Sequence, residues 1–342
     1  MKLLLVPVSA ARGFGEYART REIAFAVQQR WPAAQLHFLL SAQAPYATQC
    51  PFPATLLPGS ATLHTRQVVQ LLQRMRPDIV IFDNAGRSAQ IRAARACGAR
   101  VIYISSRRRQ RAKAFRLRWM RLLAEHWIAY PRFIAGELGW WEKLKIRLLG
   151  RPQVRFADTV LALDDAPDPL PQLTEFVLVV PGGGTAHPGA QDAPAIIAAA
   201  ARSLAARGLR TVLVGVDAGG EAPLLNCVGL LPQAQLSALL RRAAVVLTNG
   251  GDTLLQALAC GCACVAVPIA HDQARRIARC QERGLLESAP LEASAMVAAV
   301  GRLQADAAGR AQLRARVAAA GITNALPWML EVLGTLGAAD PR

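Results

Sequence analysis

The chain lacks several signatures that would assign it quickly. It has no Gly-x-x-x-x-Gly-Lys-Ser/Thr loop, which disfavours nucleotide hydrolysis of the P-loop kind. It has no uninterrupted apolar run of about 18 residues, so a spanning helix is not expected. The opening "MKLLLVPVSAARGFG" breaks at Pro7 and shows no cleavage-site pattern, so no secretory signal is expected either. The seven cysteines form no regular framework, as in a reduced, cytoplasmic protein. Cys260, Cys262 and Cys264 alternate, but the spacing fits no common zinc pattern and no His-x-x-x-His run accompanies them. They read as small residues of a buried strand, and no metal or cofactor is expected. Acidic residues are scarce, 23 against 40 Lys and Arg, for a formal net charge of +17. That balance favours an anionic partner: a phosphorylated small molecule, an acidic membrane surface or nucleic acid. No nucleic-acid module is recognisable, which places that partner last.

What is present is a repeated alternation. In the N-terminal half, Val-, Ile- and Leu-rich runs at 2–8, 34–40, 78–83 and 100–105 predict strands. They alternate with helical patterns at 16–31, 65–75 and 88–98. The rhythm breaks in a basic, aromatic segment over 106–145 and a Pro- and Asp-rich stretch, "LALDDAPDPLPQLTEF" (161–176), whose composition suits a linker. It then restarts with strands at 176–181, 210–216 and 244–249 and helices at 193–208 and 234–243. The fold class expected is α/β, with two Rossmann-like domains built on parallel sheets and a cleft between them. The expected boundaries are 1–165 and 166–322, with a terminal helix, 323–342, packing back towards the N-terminal domain.

Three glycine loops follow expected strands: "SAARGFGEYAR" (9–19), "PGGGTAHPG" (181–189) and "TNGGDT" (248–253). In open α/β sheets ligands sit at the carboxyl ends of strands, and helix N-termini attract anions. Each loop alone is a weak signal, since a tight strand-to-helix turn needs glycine too. The first holds Gly13 and Gly15 but lacks the third glycine of a dinucleotide fingerprint.

Residues 176–284 resemble the donor-binding domain of GT-B glycosyltransferases, in particular the branch of the N-acetylglucosaminyltransferase that makes lipid II. The resemblance rests on "VLVVPGGGT" (177–185), "CVGLLP" (227–232), "LLRRAAVVLTNGGDTLLQALACGCACVAVP" (239–268) and "HDQARRIARCQERG" (271–284), in that order and spacing. It implies an inverting, metal-independent hexosyl transfer from a nucleotide-diphosphate sugar to an envelope or lipid-linked acceptor. It further implies that Gly182, Gly183, Gly184 and Thr185 cradle the diphosphate, and that Leu230 meets the nucleobase through its backbone. Asn249, Gly250, Gly251, Asp252 and Thr253 would start a helix facing the phosphates, position 256 would face the ribose, and His271, Asp272 and Gln273 would lie near the sugar. The first loop, with Gly13, Gly15, Tyr17 and Arg19, would stand on the acceptor side.

The chain departs from that pattern in two places. Position 256, usually glutamate, is Gln256, whose carbonyl accepts hydrogen bonds without charge. A capping box, Thr253-x-x-Gln256, is the plainer reading. Where relatives carry histidine in the first loop, this chain has Glu16. Glu16 is a candidate general base, or a first-turn glutamate favoured by the helix dipole. Asp83, at the end of the strand "DIVIFD", is a second candidate base, or a capping residue. A nucleotide-sugar hydrolase or epimerase, or a non-catalytic polyanion- or membrane-binding protein, are the alternatives on the same scaffold.

The segment "RRRQRAKAFRLRWMR" (107–121) holds eight Lys or Arg and no acid. Phe115, Trp119, Leu122, Leu123 and Trp127 recur at helical spacing beside Arg107, Arg108, Arg109, Arg111, Lys113 and Arg116. One helix lying on anionic lipid or meeting the acceptor would look like this, and so would a core-facing helix with a solvated basic face. Trp140 and Trp141 extend that surface.

Overall fold

The computed structural model describes residues 1–10, 13–163, 166–182, 191–216 and 222–338. The chain divides into two compact units, one of residues 1–160 and 325–342, the other of residues 161–324.

Unit 1 runs β1 (Lys2–Pro7), α1 (Gly15–Arg30), β2 (Gln35–Ser41), β3 (Ala54–Leu57), α2 (Thr65–Met75), β4 (Ile79–Asp83), α3 (Ser88–Ala96), β5 (Arg100–Ser105), α4 (Arg108–Ala114), α5 (Leu117–Met120), β6 (Glu125–Ala129), α6 (Arg132–Ala135), α7 (Trp140–Leu149) and β7 (Gln153–Ala157). Unit 2 runs β8 (Val177–Val180), α8 (Ala193–Ala206), β9 (Thr211–Val214), β10 (Leu225–Val228), α9 (Gln233–Arg242), β11 (Val245–Asn249), α10 (Asp252–Ala259), β12 (Cys264–Val267), α11 (His271–Gln281), β13 (Glu287–Ser288), α12 (Ala293–Ala305) and α13 (Ala307–Ala319). The last helix, α14 (Leu326–Ala338), belongs to unit 1.

The sheet orders are β3-β2-β1-β4-β5-β6-β7 and β10-β9-β8-β11-β12-β13, with every pairing parallel. Parallel strands covered on both faces must be apolar on both faces, and the sequence obeys this. Leu3 and Leu5 of β1 join Tyr17, Ile23 and Val27 of α1 and Leu326, Met329 and Leu333 of α14 on one side. Leu4 and Val6 point the other way, into a core with Val68, Leu71 and Leu72 of α2 and Ile91 of α3. Unit 2 buries Val177, Val179, Val245, Leu247, Val265 and Val267 against the alanine-rich α8 and α12.

The sheet of unit 1 continues where the sequence pattern breaks. The strand β6 is masked by Glu125, His126 and Trp127, which look unlike a central strand. All three are buried with partners: Ser105 Oγ lies 2.8 Å from His126 Nε2, and Glu125 Oε2 accepts from Trp127 Nε1 at 3.0 Å and Arg155 Nε at 3.2 Å.

The single amphipathic helix expected over 107–121 is not formed. Helix α4 stops at Phe115, α5 is a separate turn, and Trp127 sits in β6. Phe115, Trp119, Leu123 and Trp127 are core residues, and Trp119 Nε1 donates to Ser88 Oγ at 2.9 Å, so this stripe cannot lie on a lipid surface. Arg111 is likewise structural: it pairs with Glu142 at 2.6 Å and donates to the carbonyls of Ala135, Gly136 and Glu137.

The stretch at 161–176 is part of unit 2 and is anchored there. Arg242 ion-pairs with Asp168 and donates to the carbonyls of Leu170, Pro171 and Leu173.

Candidate functional site

Each sheet has one point where successive connections leave in opposite directions, between β8 and β11 in unit 2 and between β1 and β4 in unit 1. Crevices at such switch points, beyond the carboxyl ends of the strands, are where open α/β sheets take ligands.

In unit 2 the registers Thr248↔Val180 and Asn249↔Val267 bring the ends of β8, β11 and β12 side by side. The buried amide of Asn249 ties the turns together. Its Oδ1 accepts from Gly251 N at 2.7 Å, and its Nδ2 donates to the carbonyl of Pro181. The glycines are needed because other parts of the chain come so close. A Cβ on Gly250 would stand 2.9 Å from Gln273 Cβ and from Ile277, and one on Gly251 would stand 2.6 Å from Asn249 Oδ1. Gly182 adopts φ +76°, and a Cβ there would stand 2.5 Å from Asn249 Nδ2. Gln273 is buried, its Oε1 accepting from Ile269 N at 3.0 Å, and Arg276 is buried, donating to the carbonyl of Gly250 with Asp272 at 3.6 Å.

The turn opens into α10, whose N-cap is Gly251 with no side-chain cap. Thr253 is therefore already inside the helix, and the capping box Thr253-x-x-Gln256 is not made. Asp252, Thr253 and Gln256 are half-buried in its first turns, while His271 and Asp272 are exposed at the start of α11. Leu230, just past β10, is 89% exposed and packs near Gly215, just past β9. The only aromatic residue of unit 2 is Phe176, which is buried, so no Phe, Tyr or Trp ring of this unit is exposed to stack on a base. Gly183, Gly184 and Thr185 lie outside the described residues.

The cysteines behind the turn pack. Cys262 and Cys264 are buried, Cys262 Sγ donates to the carbonyl of Leu240 at 3.0 Å, and burial pushes both thiols up.

In unit 1 the switch point is charged. Asp83, fully buried at the end of β4, is held by both prongs of Arg19, at 2.8 Å (Nε) and 3.0 Å (Nη2). Two charge-assisted hydrogen bonds fix this carboxylate in place. Arg19 and Tyr17 were expected on an acceptor-side loop. Both are buried residues of α1, with Tyr17 stacked on Tyr46 at 4.2 Å. Gly13, at φ +92° with open space where a Cβ would point, and Gly15, the first residue of α1, remain at the loop.

Glu16 is different. It starts α1 with its side chain 13% exposed, and its Oε1 accepts from Asn84 Nδ2 at 2.9 Å, with Arg107 at 3.9 Å. Asn84 directly follows Asp83, adopts a left-handed backbone (φ 51°), and also accepts from Ser106 N at 2.9 Å through its Oδ1. Asn tolerates that conformation better than most residues. Sequence reasoning missed Asn84; the signal for it was "DNAG" (83–86) directly after an apolar strand.

Of the basic candidates, Arg107, Arg108, Arg109 and Arg116 are exposed. Lys113 is half-buried, and partial burial, with Arg87, Arg109 and Arg116 nearby, lowers its ammonium pKa.

No family model matches the chain, and no curated protein matches it. Solved structures do. The spinosyn forosaminyltransferase SpnP superposes at TM-score 0.65 with 16% identity, over 99% of this chain and all of its own. Phytolacca americana UGT2, complexed with UDP-2-fluoroglucose and pterostilbene, gives 0.65 with 12% identity over 98% of both chains. Acinetobacter baumannii MurG gives 0.62 with 14% identity, over 98% of this chain and 99% of its own. The fold is that of GT-B glycosyltransferases. The lipid II branch suggested by the sequence resemblance is one of several represented and is not singled out.

Proposed function

We propose that the chain is a glycosyltransferase that moves a sugar from a nucleotide diphosphate to an acceptor hydroxyl with inversion. The observation that carries this reading is the unit 2 switch point. There, glycines past the ends of β8 and β11 let the neighbouring strand ends come close together at the start of α10, in a fold shared with glycosyltransferases. Unit 2 holds the donor. The diphosphate lies on the loop after β8 and the N-terminus of α10, whose partial positive charge meets the charge that develops as the sugar–phosphate bond breaks. In this reading no divalent metal is required. The nucleobase rests beside Leu230, and Gln256 accepts from a ribose hydroxyl through its uncharged carbonyl.

Unit 1 carries the base. The acceptor O–H gives its proton to Glu16, and the oxygen attacks the anomeric carbon as the diphosphate departs. Asn84 holds Oε1, which leaves Oε2 for the proton; Oε2 has no hydrogen bond among the described residues. Asp83 and Arg19 act as the anchor beneath. A lipid-linked or envelope acceptor suits a chain of net charge +17.

Calorimetric titration with UDP-, GDP- and dTDP-sugars tests the donor site, and at least one should bind. Glu16→Gln should keep that binding and lose turnover by roughly 10²- to 10⁴-fold, measured as diphosphate release with and without candidate acceptors. Absence of binding by every nucleotide sugar overturns the reading. Full turnover by Glu16→Gln removes the base assignment alone.

A further inference from the structure

A buried phenol stands near Glu16 with nothing to bond. Tyr46 is 9% exposed, and its buried hydroxyl has no hydrogen-bond partner among the described residues. Buried hydroxyls are nearly always paired, because an unpaired one costs stability. Its neighbour Tyr17 shows no such gap, since the Cys50 thiol partners the Tyr17 hydroxyl.

The ring of Tyr46 is fixed on the start of α1. It lies face to face with Tyr17 at 4.2 Å and meets Phe14 edge-on at 5.3 Å, while Phe14 edges on Tyr17 at 5.6 Å. Phe14 and Tyr17 bracket Glu16 in the chain, so this cluster holds the phenol and the carboxylate at the same end of the helix. Burial, with the charge of Glu16 added, pushes the Tyr46 phenol up, which keeps it an O–H donor at neutral pH. Oε2 of Glu16 has no hydrogen bond among the described residues either. One proton acceptor and one proton donor therefore stand at one helix start, each without a protein partner. Phe14 is half-buried between Gly13 and Gly15 and touches the two tyrosines by its edges, so it is the ring that an entering ligand displaces.

We propose that Tyr46 is a specificity-determining residue of unit 1 whose hydroxyl donates to a second oxygen of the acceptor, beside the hydroxyl that gives its proton to Glu16. The acceptor class is then a molecule with neighbouring oxygens, such as a vicinal diol, rather than an isolated alcohol. This assignment rests on the sugar-transfer reading and adds the acceptor class to it. The bond changes are those of that reading. The attacking oxygen loses its proton to Glu16 and bonds the anomeric carbon, and the diphosphate leaves with the electron pair of the broken bond. Tyr46 keeps its proton throughout.

Two probe acceptors isolate the second oxygen: trans-1,2-cyclohexanediol and cyclohexanol, each offered with a nucleotide sugar that calorimetry shows to bind. Transfer is read by mass spectrometry of the glycosylated product. The wild type should favour the diol by roughly tenfold or more in kcat/KM. Tyr46→Phe keeps the ring stack and should bring that ratio close to one, with donor affinity unchanged. Its melting temperature should stay the same or rise, because an unpaired buried hydroxyl is removed. Equal kcat/KM on both alcohols by the wild type overturns the proposal, as does a ratio that Tyr46→Phe retains or transfer to neither alcohol with donor bound. A clearly lower melting temperature in Tyr46→Phe also overturns it, since the hydroxyl would then have a partner in the free protein. Each of these results leaves the sugar-transfer reading standing where donor binds and Glu16→Gln loses turnover. Absence of binding by every nucleotide sugar overturns both.

Discussion

The two units share a strand order but not a chemistry. All six tryptophans and four tyrosines lie in unit 1, whereas unit 2 has Phe176 alone among aromatics and fills its core with Val, Leu and Ala. Their switch points differ in the same sense. Unit 1 places ionisable side chains there, the buried Arg19–Asp83 pair and Glu16 held by Asn84. Unit 2 places glycines, the amides of Asn249 and Gln273 and the buried Arg276 there, with no buried carboxylate among the described residues. The strand order fixes where a crevice forms, and the residues just past the strand ends decide what it does. A crevice at a helix start, closed by glycine turns, suits an anion that brings its own charge. One that holds a carboxylate suits a proton transfer.

The largest test of this contrast is Arg19→Met. It removes both prongs of the Arg19 clamp from a fully buried carboxylate and should cost roughly 3–5 kcal/mol. Because every tryptophan reports unit 1, fluorescence-monitored urea unfolding should shift markedly, and far-UV circular dichroism, which sees both units, should show what unit 2 retains. An unchanged fluorescence midpoint would mean that the ion pair does not hold the switch point.

Acid should act next most strongly. Burial, with Arg111 nearby, pushes His126 down to about 3, so the folded chain refuses a proton that the unfolded chain takes near its ordinary 6.5. The stability contributed is complete above 6.5 and is lost as pH falls towards 3, up to about 4 kcal/mol in all. Fluorescence melts between pH 6.5 and 5 read the effect together with a contribution of the same sign from His37, whose imidazole pKa burial also lowers. At lower pH the buried Glu22 and Glu125, whose carboxyls burial pushes up, take protons more readily in the fold and offset part of the loss. His126→Gln should flatten the slope in that window, and an equal slope would assign it to other groups.

Gly250→Ala probes the glycine-lined side. Its added methyl meets Gln273 and Ile277 at 2.9 Å and should cost roughly 1–3 kcal/mol through overpacking, visible in circular dichroism rather than fluorescence. The smallest effect should come from Asn84→Asp. Aspartate keeps the shape and tolerates the left-handed backbone, but sets a second carboxylate beside Glu16. Turnover should then fall with donor binding unchanged, because aspartate has no N–H to hold Oε1 of Glu16. Unchanged turnover would show that Asn84 does not position the base.

Much of the fold was legible because its strands are covered on both faces. Runs such as "KLLLVP" and "IVIFD" have no polar alternative to explain, and 3.6-period helices fall between them. The strand β6 was illegible because His126 and Glu125 find partners on β5 and β7, which are distant in sequence or not themselves evident, and Trp127 bonds to Glu125 within the strand. The amphipathic stripe at 107–127 misled for a related reason. Helical spacing is a property of sequence, whereas a helix break at Phe115 and the burial of Trp119 depend on what packs against them.

The same division runs through the candidate site. By itself the sequence determined the alternation, the cationic surplus and the placing of glycines at strand ends, because these follow from local sterics and composition. Only the tertiary structure decided that Gly250 and Gly251 are required by Gln273, Ile277 and Asn249. It also separated Asp83, locked to Arg19, from Glu16, presented by Asn84, and turned Trp140 and Trp141 outward while Trp119 and Trp127 went in. Each of those outcomes depends on which distant residues share a strand end or a helix face, and pairing across a sheet is set by the whole chain.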